Sequence, residues 1–522
     1  MNIGPWEGLS SLERLNDDVL TLIIYELAAE DPCTITTLSF TSKHLRSVCL
    51  PMLFEKATVD CARLPDSEPP NATWPYIRTM DITGSFATSQ NFDAGSLRQI
   101  IPHLTALRTI RFVRFQWGLT WDSLQLMLAA PNVRVLEIEE PFSSWRQTLT
   151  IPDGGLSHSC LTEFVYAGYS AHPPRERYRM AMRKESEPVH TWCYLNALIL
   201  ALHQTLEVLR VPSVMAPLPE MATVEWPRLR ELTLDGDNYY GDDPTLFSRL
   251  CARMPRLRTL DLHLRHKFLS QTLIWPSDAS STPSFGSLQT VSLPYPDPND
   301  TLYAYLPSTL RHLYLIDRPR YYHFKAEHKD VSNVYTRPIL ITATDLLHVL
   351  KQLQGAFTSL GVLGVAFEID SETHALVGHI ISAFPNLRIL QLHCYRPAGA
   401  PASDTEDIVR SISRNLSALH SLRHFRTYFN PCEDDDTVIY AGERRLCRSL
   451  TLREFLGLLG RYATIIAESC SPRLQFIDIL SPMVYDEAVW MRWDVSRDED
   501  GRPVLDCQPD AYLANDKYLD EL

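Results

Sequence analysis

The residues with the most evident chemistry lie in short polar runs. DGDNYYGDD, residues 235–243, carries Asp235, Asp237, Asp242 and Asp243, hard oxygen donors of the kind a calcium loop uses. Against the helix–loop–helix calcium pattern it fails, because Tyr240 stands where glycine is needed and Leu246 where the closing glutamate belongs. The expected role is a turn that caps the helix after Asp243. His323 and His328 flank Glu327, but no further ligands accompany them, so a solvated loop is expected. RERYRMAMRK, residues 175–184, mixes basic residues with Tyr178 and two methionines. It suits an acidic partner or RNA, and Glu176, Glu185 and Glu187 dilute that charge. Nucleophile elbows, zinc-protease helices, phosphate loops and dinucleotide fingerprints are all missing from the sequence. No catalytic residue, metal site or cofactor is expected, and the chain does not read as an enzyme. An enzyme with an unfamiliar site stays open as a third class.

Bulk composition narrows the partners. The formal net charge is -14 over 522 residues, which repels a phosphate backbone and argues against nucleic acid as a general partner. The 45% hydrophobic fraction is that of a folded chain. Eleven cysteines are scattered without a C-x-x-C pair, so free thiols in a reducing compartment are expected rather than a disulfide framework. The N-terminal stretch has no basic, apolar secretory pattern, and no apolar run reaches the ~18 residues that span a bilayer. The terminal LDEL is read as an accidental likeness to a retention address, and the sequons at Asn71, Asn299 and Asn415 carry little weight. The expected location is cytoplasmic and/or nuclear, with no membrane partner.

Larger order comes from a repeated phrase. WPRLRELTL (226–234), MPRLRTLDL (254–262) and FPNLRILQL (384–392) each place leucines as L-x-x-L-x-L just after a proline. Counting weaker copies such as PYIRTMDI and HSLRHFRT gives about thirteen units between Ile77 and Ile479. Alternation predicts a short strand with one buried face, and the leucine three residues earlier tucks the incoming turn beneath it. Helical periodicity fills the intervals at 122–130, 243–254, 344–357 and 373–384. Stacked units of this kind share one core and a parallel sheet. The expected fold class is therefore α/β: a leucine-rich-repeat solenoid with strands on one face and helices on the other. Strands of ordinary α/β domains are the alternative. Where regular repeats place Asn or Cys, this chain has Asp237, Arg265, Pro296 and Tyr395, so the solenoid is expected to be irregular. Polar insertions at 172–188, 318–338 and 431–448 are expected to be exposed.

Ahead of the repeats lies a compact helical pattern. Val19, Leu20, Ile23, Ile24 and Leu27 form a helical stripe behind Asn16, a competent N-cap. Asp31-Pro32 opens a second helix, and Thr41 or Ser42 a third that Pro51 should end. So small a core usually needs a partner surface.

This segment resembles an F-box, ahead of repeats like those of fungal F-box proteins with irregular leucine-rich repeats. Leu15, Asp18, Val19, Leu20, Ile23 or Ile24, Leu27, Ser42, Lys43, Pro51, Leu53 and Phe54 carry the likeness, and Asn16 departs from it where proline is usual. The resemblance implies a substrate-receptor subunit of an SCF-type cullin–RING ubiquitin ligase, with a Skp-type adaptor and a cullin scaffold as partners. By the same resemblance Leu15, Val19, Leu20, Ile23, Leu53 and Phe54 would meet the adaptor. The alternative for these side chains is burial against the first repeat, and the alternative function is a scaffold without ligase activity. An unknown protein substrate would dock on the repeats, where Tyr239, Tyr240, Tyr321 and Tyr322 are the candidate contacts. The expected domains are a helical module at 9–56, a linker at 57–73, the solenoid at 74–481, and a C-terminal hairpin with an acidic tail at 482–522. Asp500-Gly501 supplies the hairpin turn.

Overall fold

The computed structural model describes residues 12, 15–60, 63, 66–83, 95–113, 121–128, 130–139, 159–166, 195–238, 243, 245–266, 274–275, 285–318, 321, 339–397, 400–401, 405–429, 452–481 and 489–514. The chain divides into two compact units, Met1–Ala171 and His172–Leu522.

The first unit opens with helices α1 (Asp17–Glu30), α2 (Pro32–Ser39) and α3 (Lys43–Leu53). Each start is fixed by a side-chain cap. Asn16 accepts from the Asp18 N–H, Asp31 from the Cys33 N–H and Ser42 from the Leu45 N–H, satisfying donors that a helix start leaves orphaned. Pro51 does not end α3: it sits inside the helix, which runs on to Leu53. Proline already holds a helical φ, and near the helix end little ladder remains for its missing N–H to interrupt. Leu20, Ile24, Ile35, Leu45 and Cys49 form the module's core.

After α3 the chain enters a parallel sheet almost at once. Strands β1 (Lys56–Asp60), β2 (Thr79–Thr83), β3 (Thr109–Val113), β4 (Val135–Glu139) and β5 (Glu163–Tyr166) pair in sequence order. β1 falls in the stretch expected to be a linker. Burial alternates along β3 and β4, as one-sided strands require.

The second unit continues the plan with β6 (Val208–Pro212), β7 (Glu231–Asn238), β8 (Thr259–His266), β9 (Thr290–Pro294), β10 (His312–Ile316), β11 (Val362–Glu368), β12 (Ile389–Tyr395), β13 (His424–Tyr428) and β14 (Phe476–Ser481). Neighbours pair in parallel, with apolar positions in register: Leu232 lies beside Leu260, Leu260 beside Val291, Val291 beside Leu313. Every one of the thirteen phrases read from the sequence ends in one of the strands β2–β14. Helices Leu246–Ala252, Ala343–Gln352, Thr373–Ala383 and Thr405–Leu416 fill the intervals. The fold is an α/β leucine-rich-repeat arrangement, and two features make it irregular. β7 and β8 run straight through the place where a regular repeat turns, leaving Asp237 and Arg265 as register partners. At the far end β15 (Val489–Arg497) and β16 (Pro503–Ala514) add antiparallel strands to β14. Gly501 takes φ +76° in their turn, and Asp498 Oδ1 accepts the N–H groups of Asp500 and Arg502.

Strands β10–β14 differ from the expectation of one buried face, because their burial is nearly continuous. The side facing away from Leu390 and Leu392 is covered by Tyr295, Tyr321, Leu340, Tyr395, Tyr428, Leu480 and Trp490, packed with Ala366. Gly364 belongs to this second packed face. A Cβ there would lie 2.6 Å from Cδ1 of Tyr314, its partner on β10. Gly364→Val should displace the Tyr314 ring and lower stability by about 1–3 kcal/mol through overpacking. A lowered thermal midpoint with an altered near-UV tyrosine signal would show it, and an unchanged pair of readings would refute it.

Candidate functional site

The described residues offer two kinds of site, sealed polar clusters and open apolar surface. The most catalytic-looking cluster joins β10 to β12. Asp317 Oδ1 lies 2.9 Å from His393 Nδ1, and its Oδ2 accepts from the Tyr321 N–H at 3.0 Å and from the Tyr395 hydroxyl. Gln391 Nε2 stands 2.9 Å from the other His393 ring nitrogen. Both Asp317 and His393 have 0% exposure, so the pair is shut off from any reactant. It satisfies polar groups within the packed face and ties distant strands together.

A second cluster lies on β8 and β9. Asp261, His263 and Ser292 have the residue types of a hydrolytic triad, but not its geometry. Asp261 Oδ1 at 2.7 Å and Ser292 Oγ at 3.5 Å both face the same nitrogen, Nε2, of His263. A relay needs its acid and its nucleophile on opposite ring nitrogens. Burial pushes the Asp261 carboxyl up, yet the charge and hydrogen bond of His263 and the Arg318 charge outweigh it and hold the group down at about 2. A shallow open hollow is lined by Phe247, Leu264, Tyr295 and Asp300 among others. Asp300 spends its oxygens on the N–H groups of Ile274, Trp275 and Leu302, closing a loop. Burial still raises its carboxyl to about 6.

The open apolar surface is concentrated on the N-terminal helices. Ten large apolar side chains are exposed among the described residues, and six of them belong to this module: Leu15, Val19, Leu22, Tyr25, Phe40 and Phe54. Val19 and Leu22, three residues apart, share one stripe of α1, and Leu15 stands just ahead of the helix, before its cap Asn16. Leu20, Ile24 and Leu27 lie on another side and face the module's core. α1 is therefore apolar nearly all round, the pattern of a buried helix, while Val19 is 45% and Leu22 67% exposed. Phe40, 72% exposed at the end of α2, lies under the Arg46 guanidinium at 5.7 Å. Asp17 of α1 and His44 of α3 approach to 3.5 Å. Hydrogen bonds from Thr34 and Cys33 hold the Asp31 carboxyl below its usual range.

Against the sequence expectations, Leu15, Val19 and Phe54 are exposed, and Ile23 and Leu53 are half-buried. Leu20 is fully buried in the module's core, so its contribution is to folding and not to a surface. Tyr321 is also placed differently from the exposed contact expected of its insertion. It is 7% exposed and meets Tyr395 edge-on at 5.1 Å, because its N–H is anchored on Asp317. Tyr239, Tyr240 and Tyr322, the insertion at 431–448, and the His323, Glu327 and His328 group lie outside the described residues. Sequence reasoning missed Leu22, Tyr25 and Phe40, although an all-round apolar α1 signalled the first two. Asp243 heads its turn as expected by accepting from the Thr245 N–H and hydroxyl, although the helix itself starts later, at Leu246. The seven described cysteines are free, with Cys33, Cys160 and Cys507 exposed.

Asn16, where an F-box usually has proline, holds φ -63° and ψ 143° while capping α1. Proline fits that φ. Asn16→Ala should destabilise the module by about 1 kcal/mol. Asn16→Pro should leave it within about 1 kcal/mol of the parent, since a stiffer unfolded chain offsets the lost cap. Helical melting of the two variants tests the pair, and a cost for proline well above that for alanine would reject the account.

No family model matches the chain, and no curated protein matches it. Among solved structures, a leucine-rich-repeat protein of Leptospira interrogans is 12% identical, covering 69% of this chain and 86% of its own, with a TM-score of 0.22. The leucine-rich-repeat-containing protein LegL7 of Legionella pneumophila is 10% identical over 86% of this chain and 92% of its own, at TM-score 0.26. A chain of the yeast Rad7–Elc1 complex is 13% identical over 75% of this chain and 96% of its own, at TM-score 0.29. Scores this low carry no functional argument, and the repeat fold rests on the strand register of the chain itself. The chain has a leucine-rich-repeat fold. Among the described residues no helix is long and apolar enough to cross a membrane.

Proposed function

We propose that the chain is a substrate-receptor subunit of an SCF-type cullin–RING ubiquitin ligase, in the cytoplasm and/or nucleus. Helices α1–α3 hold a Skp-type adaptor, and the repeats hold a protein substrate. The observation that carries this reading is the crowding of exposed apolar side chains onto a module whose core, among the described residues, contains five buried side chains. A surface of that kind is stable in water when a partner covers it. Direct connection favours the role as well: α3 ends at Leu53 and β1 begins at Lys56, which leaves little slack between adaptor and scaffold. The receptor itself catalyses nothing. It raises the effective concentration of substrate lysines near the charged conjugating enzyme, and the transfer is done by its partners.

Affinity purification of the intact chain from cells is the test. The Skp-type adaptor and the cullin should co-purify, and at least one further bound protein should accumulate when the ligase is inhibited. If the adaptor binds and nothing accumulates, the chain is a scaffold without ligase function. If no adaptor binds, the F-box assignment is wrong.

A further inference from the structure

A row of arginines stands at the edge where the strands of the second unit begin. The turns leading into β8–β14 span 254–259, 285–290, 307–312, 357–362, 384–389, 419–424 and 471–476, and they hold six arginines without one Asp or Glu. In a chain of net charge -14, these seven turns carry the opposite sign, and beyond β14 the acidic turn of Asp498, Glu499 and Asp500 bounds them. Arg258, Arg311, Arg388 and Arg423 occupy equivalent places, each just ahead of its strand. Their backbones bond from turn to turn, Arg258 N–H to Arg230 O at 2.7 Å, Arg311 to Gln289 at 2.8 Å, Arg388 to Gly361 at 2.8 Å and Arg423 to Arg388 at 2.9 Å. This hydrogen bonding fixes their spacing. All four side chains are exposed, and none makes a hydrogen bond or ion pair with another described residue. Arg230, one step earlier, is already engaged by Glu207 at 3.3 Å.

From β8 to β13 is five sheet steps, so the row is about 24 Å long at ~4.8 Å per strand. About seven residues of extended peptide cover that length. We propose that this edge is a docking surface for an acidic, extended protein segment, whose carboxylates pair with the four guanidiniums as it crosses the strand ends. Guanidinium suits this because it binds carboxylate in a fixed two-pronged geometry and stays charged. Protein is favoured over nucleic acid because the rest of an acidic chain repels a continuous polyphosphate. The inference is separate from the receptor reading, since it concerns the chain without an adaptor.

Fluorescence anisotropy of the full chain with a labelled Glu-Ser repeat of about ten residues, long enough for the row, provides the test. Binding is expected at low salt, weakening steeply as salt rises. The fourfold Arg→Gln variant at 258, 311, 388 and 423 should bind roughly tenfold or more weakly, while the fourfold Arg→Lys variant keeps most of the affinity. An unchanged unfolding midpoint in both variants assigns the loss to charge and not to fold. No binding by the parent, or binding untouched by Arg→Gln, overturns the proposal. So does a single-stranded RNA of equal length that binds more tightly and depends on the same four residues.

Discussion

Asp478→Ala should detach the C-terminal hairpin from the sheet and cost about 3–5 kcal/mol, the usual penalty for breaking a buried ion pair. Asp478 has 0% exposure on β14 and serves three cationic or polar partners at once. Arg492, its register partner on β15, donates to both oxygens at 2.9 and 3.2 Å. His424 Nε2 lies 2.7 Å away and Arg426 Nε 3.5 Å away. Arg426 also lies 4.0 Å over the Trp490 ring, so one carboxylate neutralises charges that two strands press against aromatic surface. Remove it and those guanidiniums stay behind in a dry site. Hydrogen exchange is the appropriate measurement, because local opening precedes global unfolding. Protection should fall along β14 and β15 and be kept at β7 and β8. Asp478→Leu combined with Arg492→Leu should recover part of the loss, since a packed apolar pair replaces the ion pair. Equal protection in Asp478→Ala and the parent would show that the network adds nothing.

The same carboxylate sets an acid limit. Burial pushes Asp478 up, but hydrogen bonds from His424 and Arg492 and the Arg426 charge outweigh burial and hold it down at about 2, against 3.8 for a free group. A depressed value in the folded chain means stability that is complete above about pH 4 and is lost as pH falls towards 2. Hairpin protection should therefore decline across that window in the parent chain.

How much of this was legible follows from where each partner lies. Strands β2–β14 could be read because each leucine phrase is local, and the caps Asn16, Asp31 and Ser42 because a cap acts on the next few residues. β1 was missed since KATVD carries only one strongly apolar residue, Val59. The second packed face was invisible for a different reason. Gln391, His393 and Arg426 occupy alternate positions that read as solvated. They are buried because Asp317 reaches His393 across 76 residues of chain, and Asp478 reaches His424 across 54. No local pattern signals pairs so distant. On the N-terminal module the resemblance pointed to Leu20, which packing claims, and passed over Leu22, which packing leaves out. Motif positions mix residues that fold the module with residues that would face a partner, and only burial separates them.

That separation makes the strongest test of the proposed adaptor contact possible. Val19→Asp with Leu22→Asp should abolish detectable capture of a Skp-type adaptor, weakening it roughly a hundredfold or more. Burying each apolar side chain contributes about 1.5–3 kcal/mol, and two contacts at the low end already reach that factor. An aspartate in the interface adds the cost of an unpaired charge. Both positions lie off the core formed by Leu20, Ile24, Ile35, Leu45 and Cys49, so the helices should remain folded, with helical signal and melting midpoint near those of the parent. Leu20→Asp is the contrasting control. It should lose adaptor and helical signal together, because it places a charge in the core itself. Retained capture by the double variant, with its helices intact, would remove the α1 stripe from the contact and leave Phe40 and Phe54 to account for the exposed surface.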